Sequence, residues 1–300
     1  MNALKFLPII VLLLSCSKDV QYVAADDIFI SDNKVYVVGN TSEGSSSTHC
    51  PTLWIDGDLQ NIGSVGNFNS ATSVFVEGDD VYVTIDEHDK MNCYIWKNGE
   101  KKIIDGATEL TSLYVKDRNV YIAGSYNRQP TIWINDDRQI LSLENGCVND
   151  ILVYGNDIYA VGYLESNVTY QAVLWKNGEV ERLGSDISEA NDILIHNGNL
   201  YIAGQDYNCA TLWLNGQSNI LGPDKSCAYS VAIFGDDIYV GGTGYEESQR
   251  RACSRLWKNG TPLPFANEMG YQILSVVADS DKLYVAGTGK DRNPIWILNK

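Results

Sequence analysis

Asp192-Ile193-Leu194-Ile195-His196-Asn197-Gly198-Asn199-Leu200-Tyr201-Ile202-Ala203-Gly204 decides the fold. Two short runs of Ile and Leu flank Asn197-Gly198, a pair that favours the tight turn of a hairpin, so the stretch reads as strand, turn, strand. The same template recurs with Gly155-Asn156-Asp157 and Gly235-Asp236-Asp237 at the turn. Its aromatic marker repeats as Tyr36, Tyr82, Tyr121, Tyr159, Tyr201, Tyr239 and Tyr284, a mean period of about 41 residues. Nine residues ahead of each Tyr stands an Asp or a Ser: Asp27, Ser73, Ser112, Asp150, Asp192, Ser230 and Ser275. A spacing kept in all seven repeats marks one supersecondary unit copied along the chain.

Each unit continues through a variable loop to a strand ending in Trp: Trp54, Trp96, Trp133, Trp175, Trp213, Trp257 and Trp296. Five of these open Trp-x-Asn-Gly or Trp-x-Asp-Gly, a second tight turn into a short fourth strand such as Glu179-Val180-Glu181-Arg182-Leu183. No repeat carries a helical stripe of ten residues. Four antiparallel strands in about 40 residues form a β-propeller blade. The expected fold is all-β, a seven-bladed β-propeller over residues 27–300. The last repeat ends at Trp296-Ile297-Leu298-Asn299-Lys300 without a fourth strand, and residues 18–22 stand at the offset of one. An N-terminal strand is therefore expected to close the ring, which leaves no open edge.

The start of the chain carries an address. Lys5 precedes an apolar run from Phe6 to Leu14 that ends in Leu13-Leu14-Ser15-Cys16. The run is too short to span a bilayer, which takes about 20 apolar residues, and suits a secretory signal. Its end resembles the bacterial lipoprotein signal, which implies removal of residues 1–15 and lipidation of Cys16. Residues 16–26 would then hold the lipid and the ring-closing strand. On that reading the chain enters from the short-turn end, and the lipid holds that end to a membrane of the cell envelope while the variable loops point away.

Ala172-Val173-Leu174-Trp175-Lys176-Asn177-Gly178 with Leu183-Gly184, followed by Tyr201-Ile202-Ala203-Gly204, resembles the HAF-type extracellular repeat. The Ile-Tyr-Val-x-Gly hairpin is similar to kelch-type propeller repeats, although their paired glycines occur only at Gly241-Gly242 and Ile85 replaces the usual glycine in repeat two. Both resemblances imply fold and export; neither carries a catalytic motif onto this chain.

Composition narrows the function. With 22 basic against 38 acidic residues and a net charge of −16, the chain is a poor partner for nucleic acid, whose affinity comes largely from phosphate contacts. There is no phosphate-binding glycine loop, no Gly-x-Ser-x-Gly elbow and no zinc spacing among His49, His88 and His196. One Trp per repeat is expected in the core, its N–H finding a partner. Asp27, Asp150 and Asp192 are expected at one rim of a central channel. They are candidate ligands for a structural cation, but the preferred role is to satisfy backbone groups at the strand start. No other cofactor or metal is expected. Tyr163, Glu165, Tyr245 and Glu246 lie in variable loops and are candidate binding residues. Cys50, Cys93, Cys147, Cys209, Cys227 and Cys253 are expected at the loop-bearing end, as candidate disulfide staples of undetermined pairing. The function expected is a non-catalytic binding or scaffold module for a glycan or an envelope protein. The alternative is a polysaccharide hydrolase or lyase, for which 38 acidic residues provide too many carboxylate pairs to be diagnostic.

Overall fold

A strand is built where β-branched and aromatic residues alternate between two faces, and here such segments fill nearly the whole chain. The computed structural model describes residues 20–43, 48–166, 168–247, 250–264, 270–289 and 295–299. Cys16 and the signal segment lie outside them. The only helical element among the described residues is a 3₁₀ turn, His88–Lys90.

Five separate four-stranded antiparallel sheets span residues 70–103, 107–140, 146–182, 188–224 and 227–262. An eight-stranded sheet joins the two ends of the chain. It holds Val20–Ser31, Lys34–Glu43, Thr48–Ile55, Asp58–Asn61 and the short Gly66–Asn67 from the beginning, with Gly270–Ala278, Lys282–Gly289 and Ile295–Asn299 from the end. Among the described residues a single bridge, Ala24 to Thr288, links the two halves. Asn-Gly pairs adopt the left-handed backbone their turns require, as at Asn197 (φ 51°) and Gly198 (φ 77°).

Apolar clusters sit between consecutive sheets and lead around a closed circuit. Trp213 packs with Val161 and Leu174 of the preceding sheet, and Trp257 with Ala203 and Leu212. The circuit returns on itself where Tyr284, Ile295 and Ile297 of the last strands pack on Ile28, Val37 and Trp54 of the first. The tryptophans are core residues, as expected, but the indole nitrogens of Trp54, Trp175 and Trp213 are buried without a hydrogen-bond partner among the described residues. Their stabilisation comes from apolar area alone.

Two expectations about the N-terminus change. Val20 and Tyr22 pair with Glu43 and Ser42 within the first hairpin. Among the described residues Ile295–Asn299 pairs only with Lys282–Gly289. Residues 20–22 thus extend a 12-residue first strand instead of supplying a fourth strand to the last repeat; residues 18 and 19 lie outside the described residues. A first strand starts beside the end of the second, where the loops between second and third strands emerge. The chain therefore enters at the loop-bearing end, opposite to the sequence-based expectation.

The expected variable loops are also more ordered than their composition suggests. Asp157–Ser166 and Thr169–Lys176 pair out to Ser166 and Thr169, so Tyr163 and Glu165 stand on a strand. Tyr245 and Glu246 likewise pair with Ala252 and Arg251.

Candidate functional site

Each first strand breaks register at an equivalent place, between Ala25 and Asp27, Ala71 and Ser73, Leu110 and Ser112, Val148 and Asp150, Ala190 and Asp192, Ala228 and Ser230, and Ile273 and Ser275, and three of them break it once more nearer their start. Such a β-bulge leaves one residue unpaired and re-aims its neighbours. Here it turns the bulged residue and the following Asp or Ser towards a central cavity of about 130 Å³, lined among others by Asp26, Asp27, Asn149, Asp150, Asp192 and Tyr229.

The Asp/Ser ring is a belt that joins neighbouring sheets. Asp27 accepts from Ile28 N (2.8 Å), Ser275 Oγ (3.0 Å), Ser73 Oγ (3.0 Å) and Val74 N (3.0 Å), so one carboxylate ties the first, second and last strand groups. Asp150 accepts from Ser112 Oγ at 2.6 Å and Ile193 N at 3.0 Å. Asp192 accepts from Val231 N at 2.6 Å, and Ser230 Oγ from Val276 N at 3.1 Å. All three aspartates predicted at the rim are present there, engaged with backbone and hydroxyl donors. Among the described residues no group of three or more His, Cys, Asp or Glu is placed to hold a metal ion.

Burial pushes Asp27 up to about 6 against its four donors. Asp26, bonded to Ser70 Oγ at 2.7 Å, is pushed by burial to about 6 as well. Asp150 and Asp192 are both raised, first by burial, and Asp150 further by the neighbouring charge of Asp192. A raised carboxyl pKa penalises the folded state once the group ionises, so these groups favour folding more as pH falls towards their unfolded values.

Glu109, Cys147, Glu189 and Cys227, each three positions before a belt residue, lie towards the loop-bearing end. Asn149 Nδ2 donates to Glu189 Oε1 at 3.1 Å, and Asn191 Nδ2 lies 3.2 Å from Cys227 Sγ. Burial pushes the Cys227 thiol up to about 12 and Cys147 well above its usual range. A protonated thiol is a poor nucleophile. Burial also raises Tyr163 and Tyr229. Neither thiol is activated as a nucleophile.

Among the described residues no disulfide joins the six cysteines expected as loop staples. Cys227 and Cys253 share one sheet and the other four lie in four others, with weak S–H contacts such as Cys93 to Ala107 O at 3.5 Å and Cys147 to Val148 O at 3.4 Å. The loop candidates are occupied by neighbours. Tyr163 packs edge-on against Tyr170 (5.6 Å), Glu165 pairs with Arg128 (2.9 Å), and Lys225 lies 4.7 Å from the Tyr245 ring.

Sequence reasoning missed a ligand-sized groove. It lies between the sheets of residues 70–103 and 107–140, the second and third repeats, holds about 380 Å³, and has Tyr82, Ile95, Ile104, Val120 and Ile122 in its walls with Lys97, Lys101, Lys102, Arg118, Glu100 and Asp136 around them. That volume falls within the usual 300–1,000 Å³ or so of small-molecule sites. Lys97, Lys101 and Lys102 pair with Asp80, Glu87 and Asp136, whereas the exposed Arg118 guanidinium has no acidic partner among the described residues. The available signal was Lys101-Lys102, two cations in one fourth strand of an acidic chain.

Glu87 buttresses this groove. Burial alone would raise its carboxyl, but Ser64 N (3.0 Å), Lys90 (2.9 Å) and Lys101 (3.1 Å) outweigh it and hold the group at about 2. A depressed carboxyl contributes stability above its unfolded value and loses it as pH falls through the folded one. Glu87→Gln is expected to lower stability by about 2–3 kcal/mol at pH 7. The deficit should shrink between pH 4.5 and 2, as denaturant titrations of both proteins would record. A deficit constant over that range would count against the ion-pair role.

No protein-family model matches the chain, and no curated protein matches it by sequence. Its fold is similar to solved structures. The β-propeller domain of the Trilobed protease from Pyrococcus furiosus, which has an open velcro topology, aligns with a TM-score of 0.55 at 14% identity over 92% of this chain and 94% of that one. Acylaminoacyl peptidase from Pyrococcus horikoshii aligns in its orthorhombic form (TM-score 0.54, 14% identity, 91% of this chain and 50% of that one) and in its uncomplexed form (0.55, 14%, 94% and 53%). The chain spans about half the length of those peptidases. At this identity the likeness concerns architecture alone: the chain is built as a β-propeller.

Proposed function

We propose that the chain is an exported seven-bladed propeller, anchored by a lipid on Cys16 in the cell envelope, that binds a glycan or an envelope protein without catalysis. Seven apolar clusters leading around a closed circuit support the blade count, with the seam formed by packing of the last strands on the first. The observation that carries the binding role is the groove between the second and third sheets. It combines an aromatic and aliphatic wall with cations on a chain of net charge −16, an arrangement suited to a carboxylated sugar or an acidic side chain. The channel carboxylates argue against a hydrolase, because each is already engaged in holding sheets together.

The test is a polysaccharide panel that includes uronates, scoring retention and product formation in the same samples. Retention without products is expected. Arg118→Glu should weaken it about tenfold, the effect of losing one charge-assisted hydrogen bond. Product formation would overturn the non-catalytic reading, and retention indifferent to Arg118→Glu would remove the groove from it.

A further inference from the structure

Single exposed apolar side chains are ordinary on a soluble surface; their segregation is not. Fourteen large hydrophobic residues are exposed among the described residues. Four of them, Ile103, Ile140, Val180 and Ile220, lie on outer strands, and only Tyr154 lies at the short-turn end. The other nine stand at the loop-bearing end, on the connections between sheets, on the links from second to third strands and at strand starts. Val168 (92% exposed), Met91 (88%) and Leu143 (87%) are the most prominent, joined by Phe68, Tyr207 and Tyr271 from other repeats. They are distributed around this end of the propeller, over successive repeats.

The first described strand begins at this same end, with Val20 beside Glu43. Cys16 stands four residues earlier. At no more than about 3.3–3.6 Å per residue, four residues cannot carry a lipid around to the opposite end of strands eight to twelve residues long. We infer that the loop-bearing end is seated on the lipid bilayer, its apolar ring inserted at the headgroup level around the anchor; this rests on the lipidation of Cys16. Tyr and Phe suit that depth, where an aromatic body is buried and a polar tip stays wet. The ring supplies a second membrane signal beside the lipid. Arg128, Lys225 and Lys90 stand at the same end, each paired with a glutamate, and the exposed Arg250 is a further cation beside the apolar residues. Docking in this way leaves the groove between the second and third sheets open to the side.

The test uses the full lipidated chain in phosphatidylcholine vesicles containing doxyl-labelled phosphatidylcholine, with a fluorophore attached at Leu143→Cys, Val168→Cys or Tyr154→Cys. Quenching at 143 and 168 is expected to exceed that at 154 at least about threefold, and Phe68→Asp with Met91→Asp should reduce it. Chain retained in the vesicles with equal quenching at all three positions, or with stronger quenching at 154, overturns the docking while leaving the anchor intact. Chain absent from the vesicles overturns the anchor on which the docking rests, and leaves groove binding to be judged by the polysaccharide panel. Because positions 143 and 168 are 87% and 92% exposed, these variants are expected to fold.

Discussion

Asp27→Ala is expected to destabilise the protein by about 3–5 kcal/mol at pH 5, a large share of a typical domain stability of about 5–15 kcal/mol. The substitution removes the acceptor of two backbone N–H groups, Ile28 and Val74, and of the Ser73 and Ser275 hydroxyls. Each buried donor left unmade costs about 1–3 kcal/mol. The position matters more than the number of bonds, because among the described residues only one β-bridge crosses the seam between first and last strands. The loss should be smaller at pH 8. Asp27 titrates near 6, so above that the wild type carries a burial penalty that alanine lacks. Asn retains an acceptor and should recover part of the stability. Denaturant unfolding at the two pH values checks this. An Asp27→Ala protein as stable as wild type at pH 5 would show that packing alone closes the ring.

Gly162→Ala is expected to cost about 3 kcal/mol or more. A Cβ at Gly162 would lie 2.0 Å from the carbonyl oxygen of Cys147, and one at Gly204 would lie 2.0 Å from that of Glu189. The obstructing atoms are backbone at the bulge, so no side chain can turn aside, and overpacking of this kind typically costs about 1–3 kcal/mol even where relaxation is available. Gly78→Ala is the control: nothing lies within 4 Å of its Cβ, and only its left-handed backbone (φ 60°) resists, at about 1–2 kcal/mol. Thermal unfolding of both variants decides. Equal shifts would mean that the bulge relaxes freely.

These two positions show what could be read in advance. The spacing of Asp or Ser to Tyr placed the hairpins, and the Trp markers placed the core, because both depend on local alternation and turn chemistry. The bulge was not readable from spacing, since it exists only as a mismatch between two strands. Its trace was the glycine three residues after each Tyr, kept as Gly39, Gly124, Gly162, Gly204, Gly242 and Gly287 and lost at Ile85. Ile85 keeps the same register with a side chain, so the glycine answers to close backbone approach, not to register itself.

The N-terminal strand was misread because Val20-Gln21-Tyr22-Val23 sits at the offset of a fourth strand, while its alternation runs unbroken into Ala24 and pairing follows that continuity. The cysteines were placed at the correct end, but a disulfide also needs Cβ atoms about 3.5–4.5 Å apart and aimed at each other, which sequence offset cannot supply. The groove escaped because it lies between repeats, whereas the reading proceeded within them.

The central claim is that the channel carboxylates hold the propeller together and perform no chemistry. Asp150→Asn tests it most directly, with unfolding followed against pH and polysaccharide retention and products scored on the same preparation. The amide keeps one acceptor oxygen, enough for Ser112 and Ile151 N but not also for Ile193 N, and removes the like charge facing Asp192. The variant is therefore expected to equal or exceed wild-type stability above pH 7. That advantage should fade as pH falls to about 5, with retention unchanged. Unfolding identical to wild type at every pH, together with loss of retention or of product formation, would contradict the account and place the chemistry in the channel.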